Sequence, residues 1–138
     1  MDVLLLDTNV VSFLLKGDSR AQSYKSLLQN NRLALSFMTV AELYQWAAIR
    51  NWGQPRIAQL ESYLENYLVL PFDIALCRLW GQVRAHCRRT GYAISPQDAW
   101  VAATAQLYNL PLVTHNPKDF EVVEELEIIT AVGSIDHE

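Results

Sequence analysis

Cysteine is scarce in this chain, and the two present, Cys77 and Cys87, are not placed to pair with each other. Both fall in one predicted helix ten residues apart, about 15 Å at 1.5 Å per residue and beyond the roughly 7 Å reach of a disulfide. They read as reduced thiols. Zinc-type spacing is missing too: no His or Cys pair is suitably placed, and His86, His115 and His137 are scattered. Long apolar runs are absent. The longest stretch without a formal charge, residues 99–117, contains Gln106, Asn109, Pro111, His115 and Asn116, so no membrane span is expected. No basic region precedes the N-terminal apolar run, which Asp2 and Asp7 bracket, so no signal peptide is expected and a cytoplasmic location follows. The phosphate-cradling pattern GxxxxGK[ST] does not occur. With no linker or repeat, and with 51% apolar and 19% charged residues, the 138 residues are expected to form one domain over 1–138.

Basic residues are missing from one end. Residues 119–138 carry seven acids and no base, whereas residues 1–118 hold all 11 basic residues and eight acids. The net charge of −4 therefore hides a main body that tolerates a polyanion. Within that body Arg84, Arg88 and Arg89, with Arg78 one or two turns away, form a basic stripe or simply a solvated helix face.

What is present is alternation. Apolar runs at 3–6, 33–36, 68–70, 112–114 and 128–130 predict short buried strands. Helical spacing covers 39–51, 55–67, 73–90 and 96–109, the third with Ile74, Cys77, Trp80 and Val83 on its apolar face. Strands alternating with helices predict an α/β fold, a parallel sheet with helices on both faces. Trp46, Trp80 and Trp100 are expected in the core, and Trp52, in a polar turn beside Gly53, at an interface.

Four acidic segments stand where an apolar run meets a probable helix: Asp7, Glu42, Asp98 and the Asn116/Asp119 pair. Each of the last three also fits a helix cap, because Thr39, Ser95 and Asn116 precede an acid by three residues, and Pro96 and Pro117 suit a first helical position. Capping and function are compatible, since the carboxyl ends of strands border the ligand crevice of open α/β sheets. Brought together, such carboxylates repel one another unless protons or a divalent cation intervene. That combination points to phosphodiester chemistry.

Asp-Thr-Asn at 7–9 is a weak signal alone. It becomes specific when followed in order by Thr39-Val40-Ala41-Glu42-Leu43, by Asp98-Ala99-Trp100-Val101-Ala102-Ala103-Thr104-Ala105, and by Val113-Thr114-His115-Asn116-Pro117-Lys118-Asp119-Phe120. This set resembles the PIN-domain family, and within it the VapC-type ribonuclease toxins of bacterial toxin–antitoxin pairs, over residues 4 to about 129. The resemblance implies a three-layer α/β/α sandwich with a short central parallel sheet, and Asp7, Glu42 and Asp98 converging on Mg²⁺ or Mn²⁺. The family's fourth acidic position falls between Thr114 and Asp119, where Asn116 replaces the acid of some members and leaves Asn116 and Asp119 as alternatives. Asp7 and Asp98 are the first choices for direct ligands, Glu42 ligates through water or acts as a base, and Thr8, Asn9 and Thr114 orient. The implied activity is hydrolysis of RNA, tRNA or rRNA, by a metal-activated water, in a homodimer that a small antitoxin captures. A catalytically inactive PIN-like module binding RNA or protein is the alternative from another class. A haloacid-dehalogenase-like phosphatase expects an Asp where Asn9 stands, and a receiver domain expects paired acids near the first strand.

Overall fold

The computed structural model describes residues 2–132; the expectations that touch residues 133–138, among them His137 and the end of the domain, lie outside the described residues. Five short parallel strands, β1 (Val3–Leu6), β2 (Arg32–Ser36), β3 (Leu68–Leu70), β4 (Leu112–Val113) and β5 (Ile128–Ile129), form one sheet in the order β3-β2-β1-β4-β5. All five lie on the predicted apolar runs.

Because successive strand residues face opposite sides, the central strands divide the core. Leu5, Ala34 and Leu112 pack with the helices α5 (Ile74–Arg89) and α6 (Pro96–Tyr108). Leu4, Leu6, Leu35 and Val113 pack on the other face with α1 (Thr8–Lys16), α2 (Ala21–Leu28), α3 (Phe37–Ile49) and α4 (Gln54–Leu64). The result is the α/β/α sandwich. α1 ends where Gly17 takes φ 67°, a left-handed conformation that glycine adopts without strain, and its N–H closes on Leu14.

Three local expectations need correction. α3 starts at Phe37 rather than at Thr39, because the Ser36 hydroxyl, not Thr39, caps it by accepting the Met38 N–H. α5 buries Leu76, Val83 and Cys87, while Ile74 is 78% exposed and Cys77 faces outward. Val83 faces the core as expected, and the buried stripe is rotated by about a fifth of a turn from the predicted one, toward Leu76 and Cys87. Trp52 is half-buried against the α1–α4 core, its ring covered by the Arg56 guanidinium at 4.3 Å. The remaining three tryptophans are half-buried rather than central.

Candidate active site

The chain runs from β1 to β2 on one side and later returns to β4 on the other, so the C-terminal ends of β1 and β4 open a crevice where ligands of such sheets bind. Asp7 sits there, first after β1, held by its N–H on the Val113 carbonyl at 2.8 Å. It also caps α1: Oδ1 accepts the Thr8 N–H at 2.9 Å. Oδ2 accepts the Thr114 hydroxyl at 2.7 Å, a bond between residues 107 apart in sequence. Asn116 donates its own N–H to that hydroxyl at 3.0 Å.

Glu42 arrives from the second turn of α3. The Thr8 hydroxyl donates to its Oε1 at 2.9 Å and lies 3.0 Å from the buried Thr39 hydroxyl, so Thr39 joins α1 to α3 instead of capping a helix. Asp98 comes from the first turn of α6. There the expected cap does form, the Ser95 Oγ accepting the Asp98 N–H at 3.0 Å, and the Asp98 carboxylate is left for other use.

At the fourth position the expected cap is absent. Asn116 precedes a single 3₁₀ turn, Pro117–Asp119, without a side-chain capping bond; the Asp119 N–H goes to the Asn116 backbone carbonyl at 3.1 Å. Neither asparagine oxygen commitment nor a stability role follows. Asn116 and Asp119 both face the cleft.

Asp7, Thr8, Asn9, Glu42, Asp98, Asn116 and Asp119 line one cleft of about 210 Å³, with Thr114 behind Asp7. All eight residues singled out in the sequence therefore come together. Trp46, also lining the cleft, was assigned to the core; its spacing of four from Glu42 on one helix is the signal that places it on the same face. The ion pairs among the described residues are Arg20–Asp18 and His86–Glu124, so no basic side chain neutralises the cluster. Burial, offset by the Thr114 and Thr8 hydrogen bonds and reinforced by Glu42 and Asp119, raises the Asp7 carboxyl to about 6. Burial and then the charges of Asp7 and Asp119 raise Asp98 to about 6 as well. Glu42 is pushed up by burial and by Asp98, against its hydrogen bond from Thr8.

The donors are all oxygen, which suits hard cations such as Mg²⁺ or Mn²⁺ rather than zinc. The convergence is nonetheless looser than a closed shell: among the described residues no three His, Cys, Asp or Glu side chains are grouped as metal ligands. Magnesium keeps several waters, so one or two carboxylates are enough to hold it.

Comparison with known proteins identifies the family. A PIN-domain profile matches residues 4–126. The chain is 32% identical over 127 residues to Ribonuclease VapC1 of Haemophilus influenzae, covering 91% of this chain and 95% of that one. It is 29% identical over 119 residues to the tRNA(fMet)-specific endonuclease VapC of Shigella flexneri, covering 86% and 90%. Among solved structures, VapBC-5 of Mycobacterium tuberculosis, a member of the VapBC family of toxin–antitoxin systems, superposes with a TM-score of 0.70 at 27% identity, covering 93% and 98%. With the profile covering most of its length and the carboxylate cleft at its strand ends, the chain belongs to the PIN-domain family.

Proposed function

We propose that the chain is a metal-dependent endoribonuclease, the toxin of a type II toxin–antitoxin pair, cutting phosphodiester bonds of tRNA or rRNA. The observation that carries this reading is the cleft itself: carboxylates from four separate segments line it, and among the described residues none of them is paired with a basic side chain. Asp7 and Asp98 would hold the ion directly, with Glu42 and Asp119 acting through water. When bound, the ion lowers the pKa of a coordinated water and neutralises charge developing on the phosphate. The chain's own residues do the positioning. Thr114 fixes Asp7, Thr8 holds Glu42 at the cleft, where it would accept a proton from water, and Trp46 walls the cleft.

A small antitoxin would lay a helix into an apolar groove and direct a basic side chain at the acids, competing with the cation. The exposed apolar residues Leu68, Val69, Phe72 and Ile74, at 37%, 42%, 64% and 78%, cluster at the β3 edge and suit a homodimer. The test uses one preparation: purified protein at micromolar concentration scatters light as a dimer, and with bulk RNA and Mg²⁺ gives discrete cleavage ends on sequencing. Intact RNA under these conditions would overturn the ribonuclease assignment.

The fourth position separates into two roles. Asp119 adds negative charge that both Asp7 and Asp98 sense. Asp119→Asn is expected to raise the Mg²⁺ concentration for half-maximal cleavage by about 10–100-fold, the range for outer-shell partners. Asn116→Ala, losing no capping bond, leaves the melting temperature nearly unchanged. A metal titration shifted only in Asn116→Ala reverses the two roles.

A further inference from the structure

A second groove, of about 610 Å³, lies between the C-terminal half of α5 and the loop leading to α6, away from the acid cluster. Its walls combine two features. Trp80 and Tyr92 supply aromatic rings, and Arg84 and Arg88 supply positive charge one turn apart. The Arg84 guanidinium lies 5.4 Å from the centre of the Trp80 ring. Among the described residues neither arginine has a carboxylate partner. The neighbouring cleft on the other side of α5 differs, because there Arg89 and His86 share the walls with Glu124 and Glu125.

Two hydrogen bonds tie the walls of this groove to the segments that carry the acids. Trp80 donates its indole N–H to the Pro96 carbonyl at 3.1 Å, two residues before Asp98, and stacks on Trp100 of the same helix with centroids 5.0 Å apart. The Tyr92 hydroxyl donates to the Lys118 carbonyl at 3.0 Å, next to Asp119. Burial, then the charges of Asp119 and Asp98, push the Tyr92 phenol up.

Gly81 is the third observation. It stands inside α5, where glycine is unfavourable relative to alanine. Yet a Cβ built on it meets nothing within 4 Å. Packing within the chain does not require a glycine there, and the position borders the open space of the groove.

We propose that this groove binds the single-stranded RNA segment flanking the cleaved phosphate, with Arg84 and Arg88 on backbone phosphates and an exposed base against Tyr92. Aromatic faces with unpaired arginines form the sequence-tolerant platform that single strands use. The proposal rests on the ribonuclease reading for its substrate, but its test does not depend on cleavage.

The test measures metal-free fluorescence anisotropy of a fluorescein-labelled single-stranded RNA dodecamer, with cleavage of the same oligonucleotide in Mg²⁺ as a separate readout. Arg84→Gln/Arg88→Gln should weaken binding about tenfold at ~0.1 M salt and reduce the slope of log affinity against log salt by about 1.4, two phosphate contacts on a single strand. Gly81→Leu, placed in open space and better suited to a helix than glycine, should weaken binding with the salt slope unchanged. Neither should move the Mg²⁺ concentration for half-maximal cleavage. Wild-type affinity in both variants overturns the groove, as does normal RNA binding with a lost dimer, which would make this face a protein interface. A wild-type chain that binds but never cleaves RNA overturns the ribonuclease reading alone, and the binding arms still decide the groove.

Discussion

Asp98→Asn should lower RNA cleavage by more than about a hundredfold, beyond the range of an outer-shell partner, while leaving the fold intact. The cap at this helix start is made by Ser95 to the Asp98 backbone, so the side-chain charge is not needed for it. Two opposing effects decide the stability. Losing an acid from the first turn of α6 costs about 0.3–1 kcal/mol of favourable interaction with the helix dipole. Removing a carboxylate that Asp7 and Asp119 repel returns a similar amount. The melting temperature is therefore expected to stay within a few degrees, and circular dichroism alongside a cleavage assay reads both quantities. A fully active Asp98→Asn protein would remove Asp98 from the ion and return it to the role of an ordinary helix-start acid.

The second large effect is a coupling between metal and pH. EDTA should abolish cleavage and Mg²⁺ should restore it. In EDTA, Asp7 and Asp98 titrate near 6 in the folded chain, against about 3.8 as reference, so folding favours their protonated forms. Their contribution to stability is then fully present below the unfolded value and is lost as pH rises through about 6. For buried Asp7 the loss is on the order of 3 kcal/mol, with less from the more open Asp98. Metal acts in the opposite sense, because ligands must be ionised, and an ion at a hundred times its dissociation constant adds about 2.7 kcal/mol. His115, lowered mainly by burial, opposes the EDTA trend near neutrality. The comparison that isolates the cluster is therefore between the wild type and Asp98→Asn, melted from pH 5 to 7.5 with and without Mg²⁺. Equal pH slopes for the two proteins in EDTA would show that Asp98 is not strained in the way described.

Strand positions were legible because each is a short apolar run next to turn residues, and buried parallel strands carry such runs on both faces. The helix starts were legible only in part. Ser95-Pro96 announces α6 unambiguously, whereas Ser36 and Thr39 both offer a hydroxyl before α3, and only burial of Thr39 against Thr8 decides between them. α2 begins at Ala21 after Arg20, which makes no side-chain cap, and its start signal lies further back, where the Asp18 carboxylate accepts the Arg20 N–H at 2.9 Å. Asn116 misled for a related reason: the turn it precedes is three residues long and too tight for the bond that a full helix offers. The site residues were found because family motifs name them; how Thr114 and Thr8 hold two carboxylates depends on contacts 107 and 34 residues apart, which no local pattern encodes.

That long-range bond has a consequence for synthesis. Chains emerge N-terminus first, and β1 can pair with β2 as soon as residue 36 is available. The other edge of β1 stays open until β4 arrives, so a nascent chain has Asp7 without Thr114 and lacks Asp98's helix beside its strand. Closing the cleft requires the chain through Asp119. A centre built this way is not assembled during synthesis of its first three acidic segments, and its carboxylates meet only after the segment carrying Asp119 has been made.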